Sequence, residues 1–102
     1  MNLEEFNNNV LYWAKKRGLI DKKNVPKQLM KTMEELGELS SAILKKKDTE
    51  IMDGIGDVIV CISILSEQLG FDIHDCIGHA WNDIKDRTGR TIDGNFIKSE
   101  DL

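Results

Sequence analysis

Six carboxylates fall in two clusters whose spacing could do chemistry. Glu34, Glu35 and Glu38 lie in MKTMEELGELSSAIL, and Glu50, Asp53 and Asp57 lie in EIMDGIGDVIVCISIL. At about 100° per residue, Glu35 and Glu38 share one helix face, with Glu34 one turn from Glu38. Asp53 and Asp57 are likewise one turn apart, with Glu50 beside them. Asp57 opens the run Val58-Ile59-Val60-Cys61-Ile62, which is apolar all round and is expected to be buried. A helix does not bury like charges without a counter-charge. For facing carboxylates the simplest one is a hard divalent cation, Mg²⁺ or Mn²⁺, which prefers oxygen ligands. The bland alternatives are a solvated helix face for the glutamates and an ion pair with a basic residue of the last helix for Asp57.

Four helices are expected to position these groups. The first spans roughly residues 3–18, with an apolar stripe of Leu3, Phe6, Val10, Leu11, Trp13 and Ala14, and ends at Gly18. After a loop from Leu19 to Val25, Pro26 suits the first turn of the second helix. That helix runs to about Lys46 and turns Leu29, Met33, Leu36, Ile43 and Leu44 toward the core. Asp48 is expected to cap the third helix, which continues to Leu69 and is closed by Gly70. Asp72 caps the fourth, with Asp75 as a weak capping-box partner and Ile73, Ile77, Ala80, Trp81 and Ile84 as its stripe. Beyond Arg87, Thr91 to Ile97 alternate loosely around Asp93-Gly94, which predicts a short hairpin or an extended tail.

Glycines interrupt the acidic segments. Gly54 and Gly56 each cost about 1 kcal/mol relative to Ala inside a helix. Gly37 would serve close helix approach or leave room for a metal and its waters; Gly56 is expected to serve close approach.

The chain has 102 residues, one Pro, few aromatics and a net charge of −4. This points to a single all-α domain over residues 1–102 and argues against direct nucleic-acid binding. Lys45-Lys46-Lys47 complements the end of the second helix. Cys61 and Cys76 have no zinc spacing and read as reduced core thiols of a cytoplasmic protein. His74 and His79 are five apart and share no i, i+4 metal-binding face. No signal peptide or membrane span is expected. The third helix is apolar on nearly every face, more than three other helices can cover, so a homodimer or homotetramer is expected.

Glu35-Leu36-Gly37-Glu38 followed by Gly54-Ile55-Gly56-Asp57 resembles the paired E-x-x-E and E-x-x-D motifs of the MazG-like nucleotide pyrophosphohydrolases. The wider context, Lys31-x-x-Glu34-Glu35-Leu36-Gly37-Glu38-Leu39 and Ile55-Gly56-Asp57-Val58, is similar too. So is the tail from Asn82 to Arg90 with Asp93 to Lys98, which looks like the short single-domain members of phages and bacteria. The family's third carboxylate would sit at position 54, where this chain has Gly54. Asp53, or Glu50 a turn further back, would complete the shell.

The resemblance implies a four-helix, oligomer-forming fold that hydrolyses a nucleoside triphosphate to the monophosphate and pyrophosphate. It implies Mg²⁺, or Mn²⁺, held by Glu35, Glu38, Asp57 and Asp53, with Glu34 as a ligand or as the base that orients water. Lys31, Lys85 and Arg87 would clamp phosphate, Asn82 would donate to phosphate or sugar, and Trp13 would stack on a base. Trp81 reads as core. The alternative is a non-catalytic helical oligomer or nucleotide-sensing module that keeps the fold, and Gly54 is the feature that favours it.

Overall fold

A computed structural model describes residues 1–102. Helix α1 covers Leu3–Lys16 and is capped by Asn2, whose side-chain oxygen accepts the Glu5 N–H at 2.8 Å. The backbone then turns through Gly18 at φ +69°, a conformation a side chain would oppose. The expected loop contains a short 3₁₀ turn, Lys22–Asn24, started by Asp21, which accepts the Lys23 N–H. Helix α2 follows as Val25–Leu44, with Pro26 in its first turn.

Helix α3 is Asp48–Gln68. Contrary to the sequence expectation, Asp48 is not its cap; Lys47 holds that position without a side-chain bond. Asp48 and Glu50 instead lie in the first turn, where their charge complements the helix dipole. Helix α4, Ile73–Ile84, does carry the expected cap: Asp72 accepts the His74 N–H at 2.7 Å, while Asp75 makes no reciprocal bond. Strands β1 (Gly89–Ile92) and β2 (Asn95–Lys98) form the C-terminal hairpin. Asp93 and Gly94 both take positive φ at its tip, as a tight two-residue turn requires.

α2 and α3 form an antiparallel pair. Gln28, near the start of α2, donates to the Cys61 carbonyl at 3.2 Å, and Leu39 packs against Gly54. On α2 the contact side carries Glu35 and Ala42; on α3 it carries Gly54 and Cys61. Because the helices are antiparallel, residues rotated the same way from this contact side lie on the same side of the pair. Leu29, Met33, Leu36 and Ile43 on α2, and Met52, Ile55, Ile59 and Ile62 on α3, therefore share one apolar side. Glu34, Glu38, Asp53 and Asp57 share the other.

α1 packs on α3 along the carboxylate side, with Lys15 3.9 Å from Glu67 and Trp13 beside Val60 and Ile64. α4 leaves from the opposite side. Ser66, about 180° around α3 from Asp57, donates to the Phe71 carbonyl at 2.8 Å and lies against Cys76. α4 then turns off at 108° to α3.

The resulting core is thin. Ala14, Ala42, Cys61 and Ile64 are its only buried hydrophobic residues. Several residues expected to face the core do not: Leu29, Met33, Leu36, Ile43, Leu44, Ile77, Ile84 and Trp81 are exposed, Trp81 by 59%. The run after Asp57 is also less covered than its composition predicts, with Ile59 and Ile62 exposed by 41% and 40% and Asp57 itself exposed. Cys76 is exposed rather than a core thiol. One neighbour on each side of α3 cannot cover a helix that is apolar nearly all round. The radius of gyration, 16.3 Å, exceeds the roughly 13 Å of a typical chain of this length. No single helix is long and apolar enough to cross a membrane.

Candidate active site

The carboxylate side of the α2–α3 pair holds a cleft of about 330 Å³ lined by Glu38, Ser41, Ala42, Glu50, Asp53, Gly54 and Asp57. Ser41 follows Glu38 by three residues and so shares its face, a placement that helical spacing could have given. A smaller nook, about 190 Å³, adjoins it and is lined in part by Trp13, Gln28, Lys31, Glu35, Asp57 and Cys61. Asp57 borders both. Thus Trp13, Lys31, Glu35, Glu38, Asp53 and Asp57 are gathered on one side of the molecule by three helices.

The two glutamates of the first motif are in different states. Glu38 is exposed and has no ion-pair partner, whereas the Glu35 side chain is only 11% exposed and lies 3.1 Å from the Lys31 ammonium. The hydrogen bond to Glu35 and its negative charge, helped by Glu34 and Glu38, hold the Lys31 pKa above its ordinary value against a small opposing desolvation. Burial, together with the negative charge of Glu35, raises the Cys61 thiol above its usual range, although Lys31 opposes this. At the outer edge, Lys47 lies 3.7 Å from Glu50. The Arg17 guanidinium stacks on the Trp13 ring with its carbon 4.2 Å from the centroid.

Gly54 explains how closely the two helices meet. A Cβ built there would lie 3.1 Å from Leu39 Cδ1 and 3.3 Å from its Cα. The expected close approach at Gly56 is not found in the single chain, since Gly56, like Gly37, has open space where a Cβ would stand. The close contact falls at Gly54 because that residue lies on the side of α3 that faces α2.

The donor set fits a hard cation in kind: Glu38, Asp53 and Asp57 offer carboxylate oxygens around one cleft, and none is paired with a basic side chain. As the side chains stand, no three of them converge closely enough to hold an ion. Glu34, expected beside them, is exposed and outside both clefts.

The remaining basic candidates lie elsewhere. Arg87 lines a separate polar cleft with Asp83, Asp86, Thr88, Lys98, Ser99 and Glu100. Lys85 caps the C-terminus of α4, and Asn82 is exposed on the same helix. α4 departs from the far side of α3, so these groups do not line the carboxylate clefts of their own chain.

An acidic cleft between two antiparallel helices, with the E-x-x-E segment on one and Asp53 and Asp57 on the other, defines a class that sequence comparison identifies. A model of the MazG nucleotide pyrophosphohydrolase domain matches residues 24–90, which include α2, α3 and α4, and the chain belongs to that family. It is also 39% identical over 71 residues to an uncharacterized 18.2 kDa protein from the rep-hol intergenic region of Haemophilus phage HP1 (strain HP1c1). That match covers 70% of this chain and 44% of the relative, so the chain spans less than half of the phage protein's length. No solved structure gives a significant match.

Proposed function

We propose that the chain is a divalent-metal-dependent nucleoside triphosphate pyrophosphohydrolase that releases the monophosphate and pyrophosphate. The observation that carries this reading is the cleft of Glu38, Glu50, Asp53 and Asp57 within the matched family domain. Glu38, Asp57 and Asp53, with Glu35, are the metal ligands, and Glu50 is close enough along α3 to support them. Mg²⁺, or Mn²⁺, supplies charge neutralisation on the phosphates and lowers the pKa of the attacking water. Glu34, exposed on the same side of the helix pair but outside the clefts, is a further candidate to orient that water or add a ligand. Lys31 faces the same nook and binds phosphate, and Trp13 beside it offers a stacking surface for the base.

The working unit in this reading is a homo-oligomer. The apolar side of the α2–α3 pair lies opposite the carboxylates, so a second copy can cover Leu36, Ile55, Ile59 and Ile62 without closing the cleft. Lys85, Asn82 and Arg87 serve the reaction only when a neighbouring copy presents them. Gly54 supports the second reading, a non-catalytic nucleotide-sensing or interaction module, because position 54 lacks the family's carboxylate.

The test is pyrophosphate release from a panel of nucleoside and deoxynucleoside triphosphates, with and without Mg²⁺. Pyrophosphate with the matching monophosphate, and only with metal, is expected. Orthophosphate as the first product, or no cleavage of any triphosphate, would overturn the reading.

A further inference from the structure

We propose that Lys31 is a resident counter-charge for Glu35, which it gives up when a divalent cation binds the carboxylate cleft. The inference rests on the metal-site reading above and adds a role for Lys31 before substrate arrives.

Glu35 is the one buried carboxylate of the cluster, and Lys31 is the base paired with it, at 3.1 Å. Asp57 lines the same nook as the pair and Glu38 lines the adjoining cleft, and neither has a basic partner within ion-pair distance. Without a counter-charge, a carboxylate held at this depth beside other carboxylates would be unfavourable. The pair is poorly arranged for the ordinary purpose of an i, i+4 bridge. In a helix Glu placed before Lys is the better order, and here Lys31 precedes Glu35.

The two partners also differ in mobility. The Glu35 side chain is 11% exposed and fixed between helices, while the Lys31 side chain is 54% exposed on a flexible four-carbon stem. Lys31 can therefore leave while Glu35 stays. The nook beside it, with Trp13 and Asp57, gives the freed ammonium a place where a bound phosphate would lie. A monovalent ammonium and a divalent cation then compete for Glu35, so the absence of Lys31 should strengthen metal binding while weakening triphosphate binding.

The experiment is calorimetric titration of Mg²⁺, with no nucleotide, into the wild-type chain, Lys31→Gln and Lys31→Met at pH 8. Lys27→Gln is the control, since Lys27 lies one turn earlier on α2 and has no ion-pair partner. Removal of an exposed competing charge of this kind corresponds to an affinity for Mg²⁺ about two- to fivefold tighter in both Lys31 variants. Lys27→Gln should match the wild type, which separates a specific competition from a change in net charge. In steady-state assays the Lys31 variants should show a raised KM for triphosphate. Wild type that binds Mg²⁺ while the Lys31 variants bind it equally or more weakly would overturn this inference alone. Equal tightening in Lys27→Gln would do the same. Failure of the wild type to bind Mg²⁺ would overturn the metal reading and this inference together.

Discussion

Gly54 and Leu39 are in such close contact that a single methyl group on Gly54 would press on the Leu39 backbone, with 3.3 Å left to its Cα. Alanine at a helical glycine ordinarily gains about 1 kcal/mol. Gly37→Ala and Gly56→Ala, which meet open space in the single chain, should show that gain. It would appear as a rise in melting temperature of roughly 4–8 °C for a chain of this size. Gly54→Ala should lose it to the widening of the helix pair. Gly54→Glu, which puts a carboxylate where the resemblance expects one, should destabilise by about 1–3 kcal/mol through overpacking. Thermal melts of the four variants check the ordering. A Gly54→Glu protein as stable as the wild type would show that the α2–α3 contact yields freely.

The same contact marks where sequence reasoning succeeded and where it stopped. Helix types, both αL glycine stops and the Asp72 cap were legible because each depends on a few neighbouring residues. So was the turn at Asp93-Gly94. The identity of the acidic segments was legible for the same reason. Which glycine the helices meet at was not, because that depends on which side of α3 faces α2. Core membership failed at Leu36, Ile59 and Trp81, since an apolar stripe tells that a residue needs cover without telling which chain supplies it. The pairing of Lys31 with Glu35 was available from i, i+4 spacing, whereas the Gln28 bond to the Cys61 carbonyl joins distant segments and leaves no local trace.

Glu38 and Asp57 should tolerate loss of charge structurally but not functionally. Both are exposed, and neither holds an ion pair, so Glu38→Gln and Asp57→Asn should melt close to the wild type. If they hold the metal, pyrophosphate release should fall by at least about 100-fold, the upper end of what loss of a supporting partner alone costs. Asp53→Asn and Glu50→Gln, assayed beside them, will identify which of the two completes the shell, since the one with the larger loss of Mg²⁺ affinity is the ligand. Full activity in Glu38→Gln would refute the assigned mechanism.

The two cysteines should report on the packing around Glu35. Cys76 is exposed, while Cys61 is buried with its thiol pKa raised by burial and by Glu35. At pH 8 a thiol-specific reagent should titrate Cys76 quickly and Cys61 only on unfolding, since the thiolate is the reactive form. The sign for stability follows from the raised value. A thiol whose pKa is higher folded than unfolded contributes stability that is present below the unfolded pKa, about 9. It is lost as pH rises through the folded value. Cys61→Ala should therefore flatten the alkaline part of a stability-versus-pH curve. Equal labelling rates at both cysteines in the folded protein would contradict the burial of Cys61.

The far-side exit of α4 gives the sharpest test of a shared site. Ser66, which anchors the start of α4, is about half a turn of azimuth from Asp57. Roughly 16 Å of helix also separates Asp57 from the end of α3. In the proposed oligomer, Arg87 and Lys85 reach triphosphate across a subunit boundary, because they do not line the carboxylate clefts of their own chain. Wild type should be an oligomer by light scattering at micromolar concentration, and Ile59→Asp on the apolar side should reduce it to monomers with loss of activity. Glu38→Gln and Arg87→Ala subunits should each be nearly inactive alone. Unfolded together in equal amounts and refolded, they form mixed pairs in which one site has both its carboxylates and its cations intact. For random pairing into twofold dimers, about a quarter of wild-type activity should return. If Arg87 served its own chain, each mixed pair would carry one defect per site and no activity would return. That outcome, with wild type active, would assign the clamp to the same subunit and require α4 to fold back across α3.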